Sequence, residues 1–459
     1  MRRTHKQIWL IIVLLCLGGS SWAYSQEDLI DIMLRQNSDL TTKEYTVTKS
    51  MLAAKSARAE RYPTIDGEVS ATYIGNPKPP ISVYSNDILG GIDWPPGMEP
   101  QTSGDPIELY EGQESTYYQF NLSVTQPIYT WGKISDSIDL HDRNVTIRQL
   151  DAQLLEEELT TRLVILLDTQ SHLEEIEKAL AEQLLLCKRL MTITEQNYAN
   201  GFILKEEVLS TGMRVQEVVL ATSRIASQQQ MVLFDLQHLT GLPELQHAEI
   251  NYTPDTQKML TADTGKLDET ENVVFSDEKT LFEMLNGSIA VRTIAAKIAG
   301  NSVYWKPDLA LRIDLGYSGP RFPFIETDWC RKNDYSFNAT IAVNAVIWDG
   351  GKKLVDISEK NLSVQQAIHD KQQARDRVLY TYRSAVNQLA ILQQTAHYYE
   401  EKMQHDREII AFRKQQFENG VGPETDLILA RIDLYADQIV YQQTLITVGK
   451  EYYTIESLR

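Results

Sequence analysis

Gln196-Asn197-Tyr198-Ala199-Asn200-Gly201 and Gln415-Gln416-Phe417-Glu418-Asn419-Gly420 follow one pattern, and reading them together decides the fold. The first lies in a stretch without proline, 128 to 242, and the second in another, 324 to 422. Proline removes a helical N–H and clashes with the preceding turn, so such stretches are where long helices can run. Asn-Gly supplies the left-handed residue that a tight turn between helices needs. A second helical stretch follows each turn, Glu206 to Leu239 and Glu424 to Ile455. These are two helical hairpins, and their matching ends imply an internal repeat.

Upstream of the first turn, steps of seven from Ile138 meet Val145, Ala152, Leu159, Leu166, Leu173, Leu180 and Cys187 without a charge. Upstream of the second, Val378, Tyr382, Ala385, Leu389, Leu392, Ala396, Tyr399 and Met403 alternate steps of four and three. Both spacings keep one stripe of a helix against a partner. Gln, Thr, Arg and Glu crowd the flanking positions, so each helix is expected to pack sideways on several neighbours.

Ahead of each hairpin the period changes from seven to two, which is the signature of strands. Gly67, Val69, Ala71 and Tyr73 alternate with Asp66, Glu68, Ser70 and Thr72; Phe120, Leu122 and Val124 alternate with Gln119, Asn121, Ser123 and Thr125. The second copy repeats this. Leu309, Leu311, Ile313, Leu315 and Tyr317 oppose Ala310, Arg312 and Asp314, while Tyr335, Phe337, Ala339, Ile341 and Val343 oppose Ser336, Asn338, Thr340 and Ala342. One face is apolar and the other polar, and about ten residues is the length of a tilted membrane strand. The polar set (Asp66, Glu68, Ser70, Thr72, Gln119, Asn121, Ser123, Thr125, Arg312, Asp314, Ser336, Asn338, Thr340) is the candidate lining of a barrel lumen. Tyr73, Tyr117, Tyr118, Tyr129, Trp131, Tyr317, Tyr335 and Trp348, near the strand ends, suit an interfacial girdle.

Four strands cannot close into a transmembrane barrel, and an open edge cannot face lipid without stranding its amides. The chain is therefore expected to oligomerise, as a dimer with eight strands or a trimer with twelve; the long helices, which must also surround something, favour the wider assembly. The fold class expected is a membrane protein, α+β but mostly α, built from a duplicated helix-strand-strand-helical hairpin repeat. The first repeat is assigned to 24–243, with strands at 64–75 and 117–130 and a hairpin at 132–240. The second is assigned to 276–459, with strands at 308–318 and 335–347 and a hairpin at 350–457. A polar connector, 244–275, lies between them. Residues 76 to 116, with seven of the 15 prolines, read as a long irregular loop.

The N-terminus sets the compartment. Arg2, Arg3 and Lys6 precede the apolar run Ile8 to Leu17, and Ser21-Trp22-Ala23 fits a leader cleavage site, so 1–23 reads as a secretory signal peptide. Leu15 before Cys16 argues against acylation. The formal charge of −19 excludes nucleic-acid wrapping. Three cysteines, Cys16, Cys187 and Cys330, allow at most one bridge and no four-thiolate zinc site.

Over essentially the whole mature sequence the chain resembles the TolC-type outer-membrane efflux proteins, or outer membrane factors. The resemblance is carried by two copies of one order: Tyr62-Pro63 or Lys306-Pro307, strand, loop, strand, an aromatic-glycine exit (Trp131-Gly132-Lys133; Trp348-Asp349-Gly350-Gly351-Lys352), and the two turns. It implies a homotrimer whose twelve-stranded β-barrel, in the outer membrane of a Gram-negative bacterium, continues into a long periplasmic α-helical coiled-coil barrel. It implies passive conduction in a tripartite efflux or type I secretion system, with a periplasmic adaptor (membrane fusion protein) and an inner-membrane pump of RND, ABC or MFS type. By the same resemblance Asn200, Gly201, Phe202, Asn419, Gly420, Val421 and Gly422 are the adaptor-docking tips, and Glu207 and Asp426 the periplasmic gate. Gly422 stands where some members carry a tethering arginine, and Leu429 where some carry a second aspartate.

No cofactor or metal is expected, since the eight histidines are scattered without HExxH or clustered thiolates. His172 with Glu175 and His397 with Glu400 read as exposed polar pairs. No nucleophile, base and orienting group form a recognisable arrangement, so an enzyme is not expected. The alternative is a periplasmic coiled-coil scaffold without transport activity, which leaves the four strands without a purpose.

Overall fold

The computed structural model describes residues 24–84, 93, 95–98, 105–110, 112–262, 279–303, 305–320, 322 and 335–458. The leader, Cys16, Cys330 and much of the two strand-connecting loops lie outside the described residues. In chain order the elements are α1 (Gln26–Gln36), α2 (Ser38–Ala59), β1 (Thr64–Tyr73), β2 (Ile81–Val83), β3 (Ile107–Tyr110), β4 (Thr116–Tyr129), α3 (Lys133–Ala199), α4 (Lys205–Thr240), α5 (Thr256–Leu260), α6 (Thr280–Asn301), β5 (Asp308–Gly319), β6 (Tyr335–Asn344), α7 (Lys352–Glu418) and α8 (Glu424–Leu458). The duplication extends to lengths: α3 and α7 have 67 residues each, about 100 Å at ~1.5 Å per residue. Helices α2 and α6, which lead into the two strand pairs, have 22 residues each.

The chain forms two compact units. One comprises Met1–Ser50, Arg143–Ala290 and Gln365–Arg459, and the other Met51–Asp142 and Val291–Val364. The first is helical, and its core follows the heptads. Of the seam residues on α3, Leu159, Leu173, Leu180 and Cys187 are buried in this unit, Ile138 is buried in the other, and the remaining three are half-buried; on α7 Tyr382, Ala385, Leu389, Ala396 and Met403 are buried and the other three half-buried. Leu29 and Met33 of α1, Leu163, Leu167 and Ile176 of α3, Leu236 and Leu239 of α4, and Ile428 and Ile432 of α8 share one cluster, so the two hairpins are packed on each other. This is the several-neighbour packing that the mixed flanks of the seams imply. Cys187 is a free thiol inside that cluster.

The second unit holds the sheet, β1-β4-β5-β6, antiparallel throughout. Its central pair, β4 with β5, joins the two copies of the repeat. The junction is braced where the copies meet: Trp131 Nε1 donates to the Pro307 carbonyl at 2.9 Å, and Lys133 Nζ reaches Asp308 at 2.6 Å.

Three stretches differ from the sequence expectation. Strand β6 ends at Asn344, not 347, because its partner β5 begins at Asp308, opposite Asn344, immediately after Pro307, which has no N–H to extend the ladder. The long loop contains a small hairpin of β2 and β3. The described part of the connector, 244–262, is structured: Tyr24 bridges Ile250, and α5 places Met259 in a second cluster with Tyr382, Leu389, Val448 and Tyr452.

Candidate functional site

The two turns have one backbone geometry. In the first, Asn200 N–H donates to Gln196 O, Gly201 N–H to Tyr198 O and Phe202 N–H to Asn197 O; in the second, Asn419 donates to Gln415, Gly420 to Phe417 and Val421 to Gln416. The bond spanning five residues is the Schellman closure, and it demands a left-handed residue at its centre. Gly201 and Gly420 take that role at φ +77° and +72°. The closure leaves apolar side chains in solvent at equivalent places, Phe202 at 78% exposure and Val421 at 79%. A Cβ added at Gly201 or Gly420 would meet nothing within 4 Å, whereas one at Gly422 would press on the Gln416 side chain.

The gate candidates sit in the first turns of α4 and α8, and their surroundings differ. Glu207 is exposed. Asp426 is half-buried and receives an ion pair from Arg413 of α7 at 3.5 Å; Arg413 also donates to Gln416 Oε1 at 3.1 Å. Arg413, Asp426, Leu429, Asp406 and Asp433 line a cleft of about 300 Å³. Burial, aided by the neighbouring Asp437, pushes the Asp406 carboxyl above the usual carboxylate range. Asp437 is itself buried and held by Lys402 Nζ at 2.6 Å. A second tie, Arg189 Nε and Nη2 to Glu424 at 3.1 and 3.2 Å, joins α3 to the first turn of α8. Gly422 brings no arginine, yet Arg413 supplies the guanidinium from the opposite helix. Sequence reasoning missed it, although symmetry about the turn could have found it: Arg413 lies seven residues before Gly420 and Asp426 six after. The equivalent position in the first hairpin holds Thr194, which bonds back to its own helix at Leu190 O.

In the sheet, the register aligns the candidate lumen residues in rows on one face. Glu68, Asn121, Gly316 and Ser336 are one row; Asp66, Ser123, Asp314 and Asn338 the next; Thr64, Thr125, Arg312 and Thr340 a third. Ser70 and Gln119 make a fourth with Ser318, and Thr72 faces Tyr117. The rows are knitted together: Ser123 Oγ donates to Asp314 Oδ1 at 2.6 Å, and Arg312 Nε donates to both Asp314 oxygens at 2.9 and 3.1 Å. The opposite face carries Ile65, Val124, Ile313 and Ala339 in one row and Gly67, Leu122, Leu315 and Phe337 in another. Its outer members are bare, Ile65 at 66% and Ile341 at 70% exposure. No helix among the described residues is long and apolar enough to cross a membrane.

One sequence expectation is corrected here. His397 and Glu400 form an exposed pair on α7, as expected, but His172 is buried and is partnered by Gln442 of α8, 270 residues away in sequence. Among the described residues no group of three or more His, Cys, Asp or Glu is placed to hold a metal.

No family model matches the chain, and no curated protein matches it. Solved structures do. The outer membrane protein VceC from Vibrio cholerae superposes with a TM-score of 0.70 at 15% identity, over 94% of this chain and 95% of that one. The Campylobacter jejuni CmeC outer membrane channel gives 0.69 at 13%, over 94% and 85%. The open state of the Neisseria gonorrhoeae MtrE outer membrane channel gives 0.64 at 12%, over 94% and 88%. The likeness covers 94% of this chain in each case, and the chain has the fold of these outer membrane channels, the architecture that its repeats resemble.

Proposed function

We propose that this chain is a TolC-type outer-membrane efflux or secretion channel that works as a homotrimer, receiving substrates from an inner-membrane pump through a periplasmic adaptor. The sheet carries the reading: one face is a hydrogen-bonded polar surface and the other a bare apolar one, a pairing that suits water inside and lipid outside. Its two outer strands support a ring. β1 and β6 are ten residues each and, four strands alternating in direction, run antiparallel to one another, so β6 of one copy is matched to β1 of the next. Three such seams make twelve strands. Heat-modifiable migration of the unboiled protein from the outer-membrane fraction is the expected behaviour; recovery in the soluble periplasm would instead support the coiled-coil scaffold.

In this reading the acidic cleft at Asp426 and the exposed Glu207 narrow the periplasmic mouth, where crowded carboxylates attract cations. Arg413 offsets part of that charge in the second hairpin, so the two positions are unequal. The double variant Glu207→Ala with Asp426→Ala is expected to raise single-channel conductance in planar bilayers and weaken block by trivalent cations. Arg413→Ala, which leaves both carboxylates but frees Asp426, should strengthen that block. Unchanged conductance and block in both variants would remove these residues from the gate.

A further inference from the structure

A deeply buried carboxylate and imidazole of the helical unit belong neither to the turns nor to the sheet. Asp168 and His172 lie one turn apart on α3, at 1% and 3% exposure. His172 Nδ1 is 2.7 Å from Gln442 Oε1 of α8. An amide oxygen only accepts, so the ring donates there and Nε2 is left as a lone pair. That lone pair faces Asp168 Oδ1 at 3.8 Å, and neither atom has a hydrogen-bond partner among the described residues. The other oxygen, Asp168 Oδ2, fills the space that a Cβ on Gly449 of α8 would need. Two acceptors turned toward each other away from water are unfavourable, and a proton carried by one of the two groups removes the conflict.

We propose that Asp168 and His172 form a buried one-proton site tying α3 of the first hairpin to α8 of the second, and that loss of the proton at alkaline pH loosens this packing. The groups around the site agree with a neutral pair. From α8 come Gln442, Tyr452 and Tyr453, from the connector Tyr252 and Asp255, and from α3 Glu175. The Tyr252 and Tyr453 hydroxyls are 3.0 Å apart, and burial raises both, each disfavouring a second negative charge beside Asp168. Burial pushes Asp168 up to about 7. The same burial lowers His172, against the opposing pull of Gln442 and Glu175.

The raised Asp168 value contributes stability that is full below the unfolded carboxylate's 3.8 and lost as pH rises through about 7. The lowered His172 value contributes stability that grows toward the unfolded imidazole's 6.5 and is lost as pH falls through its folded value. Between these limits the slopes cancel, since folded and unfolded chains each hold one proton. Above 6.5 only the folded site keeps it, and stability falls.

Infrared difference spectra of the detergent-purified full chain are expected to show a protonated-carboxyl band that titrates away near neutral pH and is missing in Asp168→Asn. Amide exchange around Gly449, corrected for the intrinsic rate, should quicken about two- to threefold between roughly pH 6 and pH 8, the gap between a carboxyl near 7 in the closed site and an imidazole at 6.5 in the opened one, and should instead slow with rising pH in Asp168→Asn, where only the lowered His172 is left. If that variant does not fold, His172→Gln supplies the test, because removing the facing lone pair should shift the midpoint of the band. A wild-type protein without a titrating carboxyl band, a band that persists in Asp168→Asn or keeps its midpoint in His172→Gln, or exchange independent of pH would each overturn the proposal.

Discussion

Arginine placed at Leu122 and Leu315 together is expected to remove the protein from the outer membrane, whereas arginine at Asn121 is expected to leave it there. Leu122 and Leu315 are direct cross-strand neighbours in the middle of the apolar row. A cationic side chain on the lipid face near the bilayer midplane costs about 2–4 kcal/mol, so the pair costs about 4–8 kcal/mol. That is comparable with the whole stability of an ordinary fold, about 5–15 kcal/mol. Asn121, one residue along β4, points to the other face, where Glu68 lies directly across the strand and can receive the guanidinium. The measurement is the amount of heat-modifiable oligomer in outer-membrane fractions. If all these substitutions behave alike, the sheet has no lipid face and the channel reading fails.

Gly420→Trp is expected to abolish export while leaving the trimer in the membrane, and Gly420→Asn to preserve both. Asparagine tolerates the left-handed conformation best, and for tryptophan the backbone cost is about 1–2 kcal/mol, small beside the packing that holds the hairpin. A Cβ at the position meets nothing within 4 Å, so neither side chain is blocked at its root by the chain itself. A difference between the two variants must then come from something that approaches the turn from outside, beside the exposed Val421. Cross-linking to the periplasmic adaptor and retention of substrate in cells measure it. Equal loss in both variants would reduce the turn to a helix end; normal export with tryptophan would reject docking at this tip.

Much of this architecture is legible in the sequence because it is periodic. The seams from Ile138 and Val378, the alternation around Leu122 and Ile313, and the twin Asn-Gly turns each signal themselves within a few residues, and the structure repeats them in burial, register and backbone bonds. What the sequence hides depends on distant partners. The short helix α5 is too brief to show a period and is held by Met259 against Tyr382, Leu389 and Val448. His172 has a carboxylate three residues on, which suggests a surface pair, yet its bond is to Gln442 in the other copy of the repeat. Arg413 is unremarkable until the hairpin folds it onto Asp426. The polar face of the sheet is readable because it follows from alternation, whereas the Arg413–Asp426 ion pair is not, because it depends on pairing between helices.

The bare flanks of the sheet have a consequence for inheritance. A closed tube of identical staves is only as sound as its worst joint, and in the proposed ring each stave would take part in two joints, one through each outer strand of its sheet, β1 and β6. A chain altered only along β6 would still offer a normal β1 to a healthy sibling and so carry the fault into mixed assemblies. Such an allele would be dominant over the wild type, while one that prevents folding altogether, and so never reaches the ring, would be recessive.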